Sequence, residues 1–418
     1  MTAQGEKGGK VSRRTFLKAA GAGVAVAAAA GAGYYYMSTQ PVGEKPPIKV
    51  GIMFPLTGVY SGNARKQLDG ARLAVKEIND EGGLLGRPVQ AFERDDELNP
   101  GVAVRRAREL VESVGVEALI GCLGAHIVHV TNDYMKTTGK PYVASCIPVV
   151  ETHKSGVRGP NTFFELPSTI QISFALADWS IENLGKKCYV IYADYAWGQE
   201  MFKYLKRRLD ERGAEVVGTD PFPLGSTDFA PFLTRVLNSN PEVFAIGALG
   251  TDLVNCLKQA AGFGMKEKMK ILALNNTMTD TLAMGVDVFS GVYSFLDFYW
   301  QLEYPSTKNM LEKWWKAYNE PPDTYGIGAY NAVREWAAAV ERAGTTEGSA
   351  VTVELENHHY DWSKGDEWWR ACDGQSIQEC FVGIGKKPSD VKEKYDIFEI
   401  QGSEGGEEIM VSCSELGY

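Results

Sequence analysis

The stretch Lys187-Cys-Tyr-Val-Ile-Tyr-Ala-Asp194 decides the fold, and Tyr195-Ala-Trp-Gly198 follows it directly. Its continuous apolar run has the length of a strand that is covered on both faces. From Gln199 to Arg212, apolar residues recur every three or four positions, which indicates an amphipathic helix. A second apolar run, Ala214-Glu-Val-Val217, begins after a glycine that is typical of a helix stop. The pattern predicts a β-α-β unit, whose connection is normally right-handed.

The end of the first strand is the expected ligand-binding edge of this unit, because small ligands bind where parallel strands end and helices begin. That point carries Asp194, Tyr195 and Trp197. An aromatic side chain is a favoured anchor in solute pockets, so we expect Trp197 to line a cleft. The alternative for Trp197 is packing at the helix start, and the alternative for Asp194 is capping of the helix that begins near Gly198.

The same alternation of strands and helices extends in both directions along the chain. Strands are predicted to begin near residues 188, 214, 242 and 270, and an equivalent series near 48, 88, 116 and 141. Each series predicts one lobe of a doubly wound α/β fold. The sequence therefore predicts two Rossmann-like lobes that face each other.

Three segments are predicted to connect the lobes, namely Asn161 to Leu166, a returning strand from Gly291 to Phe298, and Glu356 to Asp361. Helices at 308–318 and 327–343 are expected to pack on the first lobe. Two later segments, 377–383 and 395–401, alternate like antiparallel strands. The predicted division is 48–165 plus 298–356 for the first lobe and 166–297 plus 357–418 for the second.

The amino terminus predicts export. Ser12-Arg-Arg-Thr-Phe-Leu-Lys18 precedes a mild Ala/Gly-rich apolar segment, which resembles a twin-arginine signal over residues 1–38. Residues 39–47, with three prolines, are expected to be a linker. Whether the signal is cleaved stays open, because Phe16 to Met37 is also long enough to remain as a membrane anchor.

Composition excludes a nucleic-acid-binding role. The 418 residues carry a formal net charge of −10, and without the basic amino-terminal 45 residues the charge is −14. No basic surface is left that could follow a phosphate backbone. A hydrophobic content of 44% and a charged content of 23% instead predict packed globular lobes.

Five short motifs carry a family resemblance through their order and spacing. They are Phe54-Pro-Leu-Thr-Gly58 with Asp69-Gly-Ala71, Gly82-Gly-Leu-Leu-Gly-Arg-Pro88, Asp194-Tyr-Ala-Trp-Gly198, Pro223-Leu-Gly-Ser-Thr-Asp-Phe229 and Ala371-Cys-Asp373. With them, residues 48–418 resemble the extracytoplasmic solute-binding proteins of ABC importers of the branched-chain amino acid, amide and urea type. The resemblance implies the type I periplasmic-binding fold with two lobes and three crossings. It also implies a small solute as ligand and ABC permease and ATPase subunits as partners.

The resemblance implies a set of ligand-binding positions at the strand ends of both lobes. They are Thr57, Tyr60, Asn63, Gly124, Ala125, His126, Ile147 and Val149 in the first lobe and Asp194, Tyr195, Trp197, Gly250, Asp252, Asn275, Asn276 and Asp280 in the second. Amino-acid binders of the family present hydroxyl groups at the positions of 124–126 and of 147 and 149. These hydroxyls are missing here, so an amide or a carboxylate with an apolar or aromatic body is an equally good candidate for the ligand.

The sequence contains no motif that predicts a catalytic or metal-binding function. The chain has no G-x-S-x-G, H-E-x-x-H or P-loop pattern. Cys122, His126 and His129 have a suggestive spacing but no evident fourth ligand, so we predict neither a metal site nor a cofactor. Two alternatives stay open: a ligand-sensing subunit of a signalling complex with the same fold, and a secreted hydrolase that uses Cys122 or Cys146.

The seven cysteines predict at most a structural disulfide. In an exported chain, Cys372 and Cys380 are the first candidates because both lie in a polar, loop-like region. Cys188 and Cys256 are expected to be small buried apolar residues.

Overall fold

Two β-sheets, each flanked by helices, organise residues 45–418, which are those that the computed structural model describes. The predicted signal at 1–38 and most of the predicted linker lie outside the described residues. Residues 47–418 form one compact unit. No helix within residues 45–418 has both the length and the apolar character that a bilayer span requires.

The first sheet is entirely parallel, with the strand order β2-β1-β3-β4-β5. Its strands are β1 (Ile48–Phe54), β2 (Val89–Asp95), β3 (Ala118–Gly121), β4 (Tyr142–Ala144) and β5 (Thr162–Phe164). Every residue of β3, β4 and β5 is buried, as expected for strands that are covered by helices on both faces.

The second sheet is mixed, with the order β15-β14-β10-β9-β8-β6-β7. Its strands are β6 (Lys187–Ala193), β7 (Glu215–Phe222), β8 (Val243–Gly247), β9 (Lys270–Ala273), β10 (Tyr293–Leu296), β14 (Glu379–Gly385) and β15 (Phe398–Gly405). β14 and β15 are antiparallel to their neighbours, which confirms the pairing that the alternation at 377–383 and 395–401 predicts. A small antiparallel sheet contains β11 (His359–Tyr360), β12 (Glu367–Trp369) and β13 (Ser376–Ile377).

Twelve α-helices connect these strands within the described residues. They are α1 (Ser61–Asp80), α2 (Pro100–Arg108), α3 (Ala125–Met135), α4 (Thr169–Asn183), α5 (Ala196–Glu211), α6 (Ala230–Ser239), α7 (Thr251–Gly262), α8 (Met278–Met284), α9 (Val286–Phe289), α10 (Pro305–Tyr318), α11 (Thr324–Ala343) and α12 (Gly348–Leu355). Their starts follow local sequence: Asn99 caps α2 through Gly101 and Val102, with Pro100 in the first turn.

Close packing of α11 on α1 brings a distant part of the chain to the strand ends of the first sheet. A Cβ atom on Gly70 of α1 would lie 1.9 Å from the carbonyl oxygen of Gly326 in α11. Only glycine allows the two helix backbones to approach so closely. The approach fixes the first turn of α11, which carries Tyr325, beside the cleft.

The first connection between the sheets begins later than predicted. Thr162–Phe164 within the predicted crossing is β5, which pairs in parallel with β4, so the crossing starts at Glu165. Phe163 and Phe164 are fully buried, and this burial favours a strand over an exposed connection. The predicted strand at 291–298 is present as β10 inside the second sheet, and the chain returns to the first lobe after it.

The predicted Cys372–Cys380 pairing is wrong. Cys372 forms a disulfide with Cys413, whose Cα atom lies 6.1 Å away. Cys380 lies in β14 and is fully buried, because its side chain faces the core of the second lobe. Cys188 and Cys256 are buried free thiols, as predicted.

Candidate functional site

A closed cavity lies where the strand ends of the two sheets meet. The space inside it that is open to the centre of a water-sized sphere is about 20 Å³, enough for about one water molecule. Its walls are formed by Tyr60, Leu123, Gly124, Ala125, Cys146, Ile147, Tyr195, Trp197, Leu249, Asn275 and Tyr325. These residues follow strands β1, β3, β4, β6, β8 and β9, and Tyr325 comes from the first turn of α11. The cavity therefore has walls from both lobes.

Two tyrosines close the cavity by a hydrogen bond between the lobes. The hydroxyl oxygens of Tyr60, after β1, and Tyr195, after β6, lie 3.1 Å apart. Burial raises the pKa of Tyr60 to about 12, so its hydroxyl is protonated at neutral pH and can donate or accept. The bond joins a residue of the first lobe to one of the second, so the lobes are closed on each other.

Aromatic side chains form a large part of the cavity wall. Trp197 is only 4% exposed, and its ring lies 6.1 Å from that of Tyr195 at an angle of 27°. The next residue, Gly198, allows α5 to approach β6, because a Cβ atom there would lie 2.0 Å from the carbonyl oxygen of Ala193. Together with Tyr60 and Tyr325, these rings can hold the flat face of an apolar or aromatic ligand.

Helix amino termini converge on the same cavity. Gly124 and Ala125 lie at the start of α3, Trp197 at the start of α5 and Tyr325 at the start of α11. Free backbone N–H groups and the helix dipole make such termini attractive to anions. Among the described residues, no charged side chain lines the cavity. The Asp323 carboxylate already caps α11 by accepting from the N–H of Gly326 at 3.3 Å, whereas in the described part of the chain the starts of α3 and α5 have no side-chain cap and remain positive toward the cavity.

Asn275 provides the polar side chain of the wall. Its Nδ2 donates to the hydroxyl of Tyr325 at 3.2 Å, and it is 1% exposed. Within residues 45–418, its Oδ1 has no hydrogen-bond partner. An unpartnered buried carbonyl oxygen is costly, so a ligand that donates a hydrogen bond there would satisfy it.

Seven of the sixteen predicted positions line the cavity, namely Tyr60, Gly124, Ala125, Ile147, Tyr195, Trp197 and Asn275. Two predicted positions lie on the surface instead. Thr57 is exposed and donates to Asp95 at 2.9 Å. Asp194 is exposed and accepts from Gln199 at 2.9 Å, whereas Tyr195 holds the N-cap position of α5, so Asp194 neither lines the cavity nor caps the helix.

Three other predicted residues form a support behind the wall. Thr277 donates to Asn63 at 3.3 Å, and the backbone N–H of Gly250 donates to Asp280 at 3.4 Å. Burial raises the pKa of Asp280 to about 7, so this carboxyl is partly protonated near neutral pH. The Thr277–Asn63 bond joins the two lobes, whereas the Gly250–Asp280 bond lies within the second lobe, and none of the three predicted residues lines the cavity.

The remaining predicted positions have local roles or lie beside the cavity. Asp252 accepts from the backbone N–H of Gly225 at 2.9 Å, and Asn276 donates to Thr281 at 2.9 Å. His126 and Val149 line a neighbouring groove. No cluster of three metal-ligating side chains exists in the part of the chain that the structure describes.

Sequence reasoning missed Leu123, Leu249 and Tyr325, and considered Cys146 only as a nucleophile. Leu123 and Leu249 directly precede two predicted glycines and could have been found as their neighbours. Burial raises the pKa of Cys146 to about 12, so its sulfur is a neutral thiol and a poor nucleophile.

Comparisons with known proteins agree with this geometry. A family model described as "Periplasmic binding protein" matches residues 47–387. A Leu/Ile/Val-binding protein homolog of Brucella melitensis is 26% identical over 308 residues, which cover 73% of this chain and 82% of that protein.

Two solved structures have the same fold. An amino acid ABC transporter substrate-binding protein from Pseudomonas fluorescens has a TM-score of 0.84 at 23% identity, covering 90% of this chain and 99% of its own. A solute-binding protein of an ABC transporter from R. palustris, in complex with benzoate, has a TM-score of 0.76 at 19% identity, covering 85% and 96%.

Proposed function

The chain belongs to the family of periplasmic binding proteins, and from this premise we propose that its solute is a small carboxylate with an aromatic or apolar body. As a family member it is an extracytoplasmic solute-binding protein of an ABC importer, and not an enzyme. It captures its solute between two lobes and delivers it to the permease.

The observation that carries the proposal is the combination of helix amino termini, aromatic walls and the absence of charged side chains among the described lining residues. Backbone N–H groups at Gly124 and Ala125 are suited to a carboxylate. Tyr60, Trp197 and Tyr325 are suited to an aromatic or apolar body. The benzoate complex of the R. palustris protein supports the proposal, since the same fold can hold such a ligand.

An α-amino acid is a poorer fit to the same walls. Its ammonium group would need a carboxylate partner, and Asp280, the nearest candidate among the predicted ligand-binding positions, accepts from the backbone of Gly250, does not line the cavity and is partly protonated. An amide with an apolar body is the second candidate, because its N–H group could donate to the unpartnered oxygen of Asn275.

A thermal-shift screen tests the ligand class. We expect benzoate to raise the melting temperature in proportion to the logarithm of its concentration above Kd. Benzamide, which has the same ring without the charge, is the matched control, and leucine and phenylalanine represent the amino acids. Stabilisation by leucine and not by benzoate would show that the proposed ligand class is wrong.

We further propose that residues 1–38 direct export by the twin-arginine route, and that the apolar segment anchors the protein if it is not cleaved. The complete Arg13-Arg14 motif supports this proposal. Replacing both arginines by lysine should leave the protein in the cytoplasm. Export of the double variant at the wild-type level, measured by cell fractionation, would contradict the route.

The division into lobes at 48–165 plus 298–356 and 166–297 plus 357–418 is also a proposal. The same solute-binding role could serve a sensing subunit of a signalling complex. Genes for permease and ATPase subunits beside the gene of this protein would favour transport, and a neighbouring kinase gene would favour sensing.

A further inference from the structure

Glu200, in the second turn of α5, reaches from the second lobe to the backbone of the first. Its carboxylate accepts from the backbone N–H groups of Val150 at 2.6 Å and Glu151 at 3.1 Å. Both groups lie in the short helical turn Val150–His153, which follows β4 of the first sheet. Because α5 follows β6 of the second sheet, the two bonds join the lobes.

The same carboxylate also contacts the start of α4. The hydroxyl of Thr169, the first residue of this helix, donates to it at 2.8 Å. The backbone N–H of Thr169 in turn donates to the carbonyl oxygen of Pro148 at 3.1 Å. Residues 148–151 of the first lobe are therefore held by bonds to two helices of the second lobe.

The hydrogen bonds of Glu200 to the backbone are charge-assisted, and such bonds are shorter and stronger than neutral ones. Burial raises the pKa of Glu200, and its bonds to Thr169, Val150 and Glu151 oppose this rise because they favour the ionised form. The N-cap position of the turn is Val149, whose side chain cannot accept a hydrogen bond. Glu200 therefore caps this turn of the first lobe from the second lobe.

The capped turn is continuous with the cavity wall. Cys146 and Ile147 line the cavity, and only two residues separate Ile147 from Val150. The first is Pro148, whose ring fixes its own φ and restricts the backbone of Ile147. The second is Val149, which is extended, with φ −86° and ψ 145°. A shift of the capped N–H groups is therefore passed to Ile147 through a stiff stretch of backbone.

We propose that Glu200 is a positioning residue for solute binding. It does not line the cavity, but it holds the wall at Cys146 and Ile147 against the second lobe through the backbone that follows them. Its removal should therefore weaken solute binding as well as lower stability. The inference concerns the position of the wall, so it applies to any small solute that the cavity binds.

Glu242 provides a matched control within the second lobe. Its carboxylate accepts from the backbone N–H groups of Lys186 at 2.6 Å and Lys187 at 3.0 Å, nearly the same distances as for Glu200. These residues lie where β6 and β8 begin, whereas the cavity lies where the two strands end. Removal of Glu242 therefore breaks the same kind of bond without changing a contact between the lobes.

Glutamine variants separate positioning from a merely structural role. In Glu200→Gln one carboxylate oxygen becomes an amino group, which cannot accept from a backbone N–H. Isothermal titration with benzoate should give a Kd at least about threefold higher than that of the wild-type protein, the equivalent of roughly half a typical hydrogen bond. Glu242→Gln should keep Kd within about twofold, although both variants lower the melting temperature. Equal changes of Kd in the two variants would contradict the positioning role.

Amide hydrogen exchange tests the contact without a ligand. The backbone N–H groups of Val150, Glu151 and Thr169 should exchange slowly in the wild-type protein and in Glu242→Gln, and faster in Glu200→Gln. Wild-type rates in Glu200→Gln would overturn the inference, and so would fast exchange at Val150 and Glu151 in the wild-type protein. If Glu200→Gln does not fold, Thr169→Val replaces it with the same expectations, because it removes one donor to the carboxylate.

The proposed function and this inference fail in different ways. If leucine binds and benzoate does not, the proposed ligand class is wrong, and the two glutamine variants are compared with leucine as the probe. If neither probe binds, the exchange rates decide the inference. If benzoate binds equally well to the wild-type protein and to both variants, only the inference is wrong.

Discussion

At the scale of single residues, Trp197 gives the sharpest test of the cavity. It is 4% exposed and lies at the first turn of α5, where its ring meets the cavity and Tyr195. Trp197→Ala should weaken solute binding by at least about 1 kcal/mol, the low end for the loss of an aromatic anchor. Isothermal titration with the solute found in the screen measures this as a rise in Kd of roughly fivefold or more.

Trp315→Ala is the control for this prediction. Trp315 is 37% exposed on α10 and lines no part of the cavity, so its removal should leave Kd unchanged. Unchanged affinity in Trp197→Ala as well would assign Trp197 to packing at the start of α5.

Residues at strand ends could be predicted from the sequence, because the apolar run of a buried strand shows where the strand ends. Tyr195 and Trp197 are found in this way. Tyr325 could not be found in this way, since it follows no strand. It reaches the cavity only because α11 packs closely on α1 at Gly70 and Gly326, a contact between positions 256 residues apart.

At the scale of elements, pattern reasoning succeeds where a segment is long and fails where it is short. The helices α5, α10 and α11 lie within a few residues of their predicted positions, since each has several apolar residues at helical spacing. β5 has only three residues and no visible alternation, so the sequence predicts a connection there. Its strand character comes from pairing with β4, and that tertiary contact cannot be read from three residues.

The disulfide shows the same limit. Cys372 and Cys380 are close in sequence, but partners are decided by which Cβ atoms meet in space. Alternation along β14 turns Cys380 inward, whereas the last turn of the chain brings Cys413 to Cys372. The spacing of the cysteines in the sequence shows neither the inward orientation of Cys380 nor the approach of Cys413 to Cys372.

At the scale of the whole molecule, the connections between the lobes share one buried cluster of charges. Glu165 lies in the first connection and Asp297 follows β10 at the second, whereas Lys364 and Glu367 come shortly after the predicted third connection, with Glu367 the first residue of β12. Lys364 lies 2.5 Å from Asp297 and 3.8 Å from Glu367, and all four side chains are almost fully buried. One lysine therefore contacts two buried carboxyl groups, and its charge also lowers the pKa of a third, Glu165.

Further polar groups surround this cluster. Tyr360 donates to Glu165 at 2.8 Å, and Asn331 donates to Glu367 at 3.0 Å. Gln378 contacts both Lys364 and the backbone oxygen of Glu165. The charges of Asp361 and Asp366 raise the pKa of Glu367 further. The thiol of Cys380 lies close enough to Asp297 and Lys364 for both charges to affect its pKa.

Three carboxyl groups and one ammonium group cannot all be charged cheaply in a buried site. Burial raises the pKa of Glu367 to about 8, with Lys364 lowering it and Asp297 raising it further. Burial, together with Glu367, also raises the pKa of Glu165 well above its usual range. Because these pKa values are higher in the folded protein than the roughly 4.3 of an unfolded glutamate, the folded protein holds more protons between the two values. The contribution of these carboxyl groups to the free energy of unfolding is therefore highest at the low-pH end of this window, and it is lost as pH rises through the folded pKa.

We therefore predict that the free energy of unfolding falls between pH 6 and pH 9, and that Glu367→Gln makes this fall smaller. The amide keeps a side chain of the same shape that can accept from Asn331, and it cannot ionise. Between pH 6 and pH 9, the wild-type protein should lose at least about 1.4 kcal/mol more of its free energy of unfolding than Glu367→Gln does, the equivalent of one pKa unit. Urea unfolding at both pH values measures it, with Glu312→Gln, an exposed glutamate on α10, as the control that keeps the wild-type slope. If Glu367→Gln and the wild-type protein lose the same stability over this range, then Glu367 does not hold a proton at neutral pH. The ammonium group of Lys364 and the three buried carboxyl groups around it would then all be charged in the folded protein.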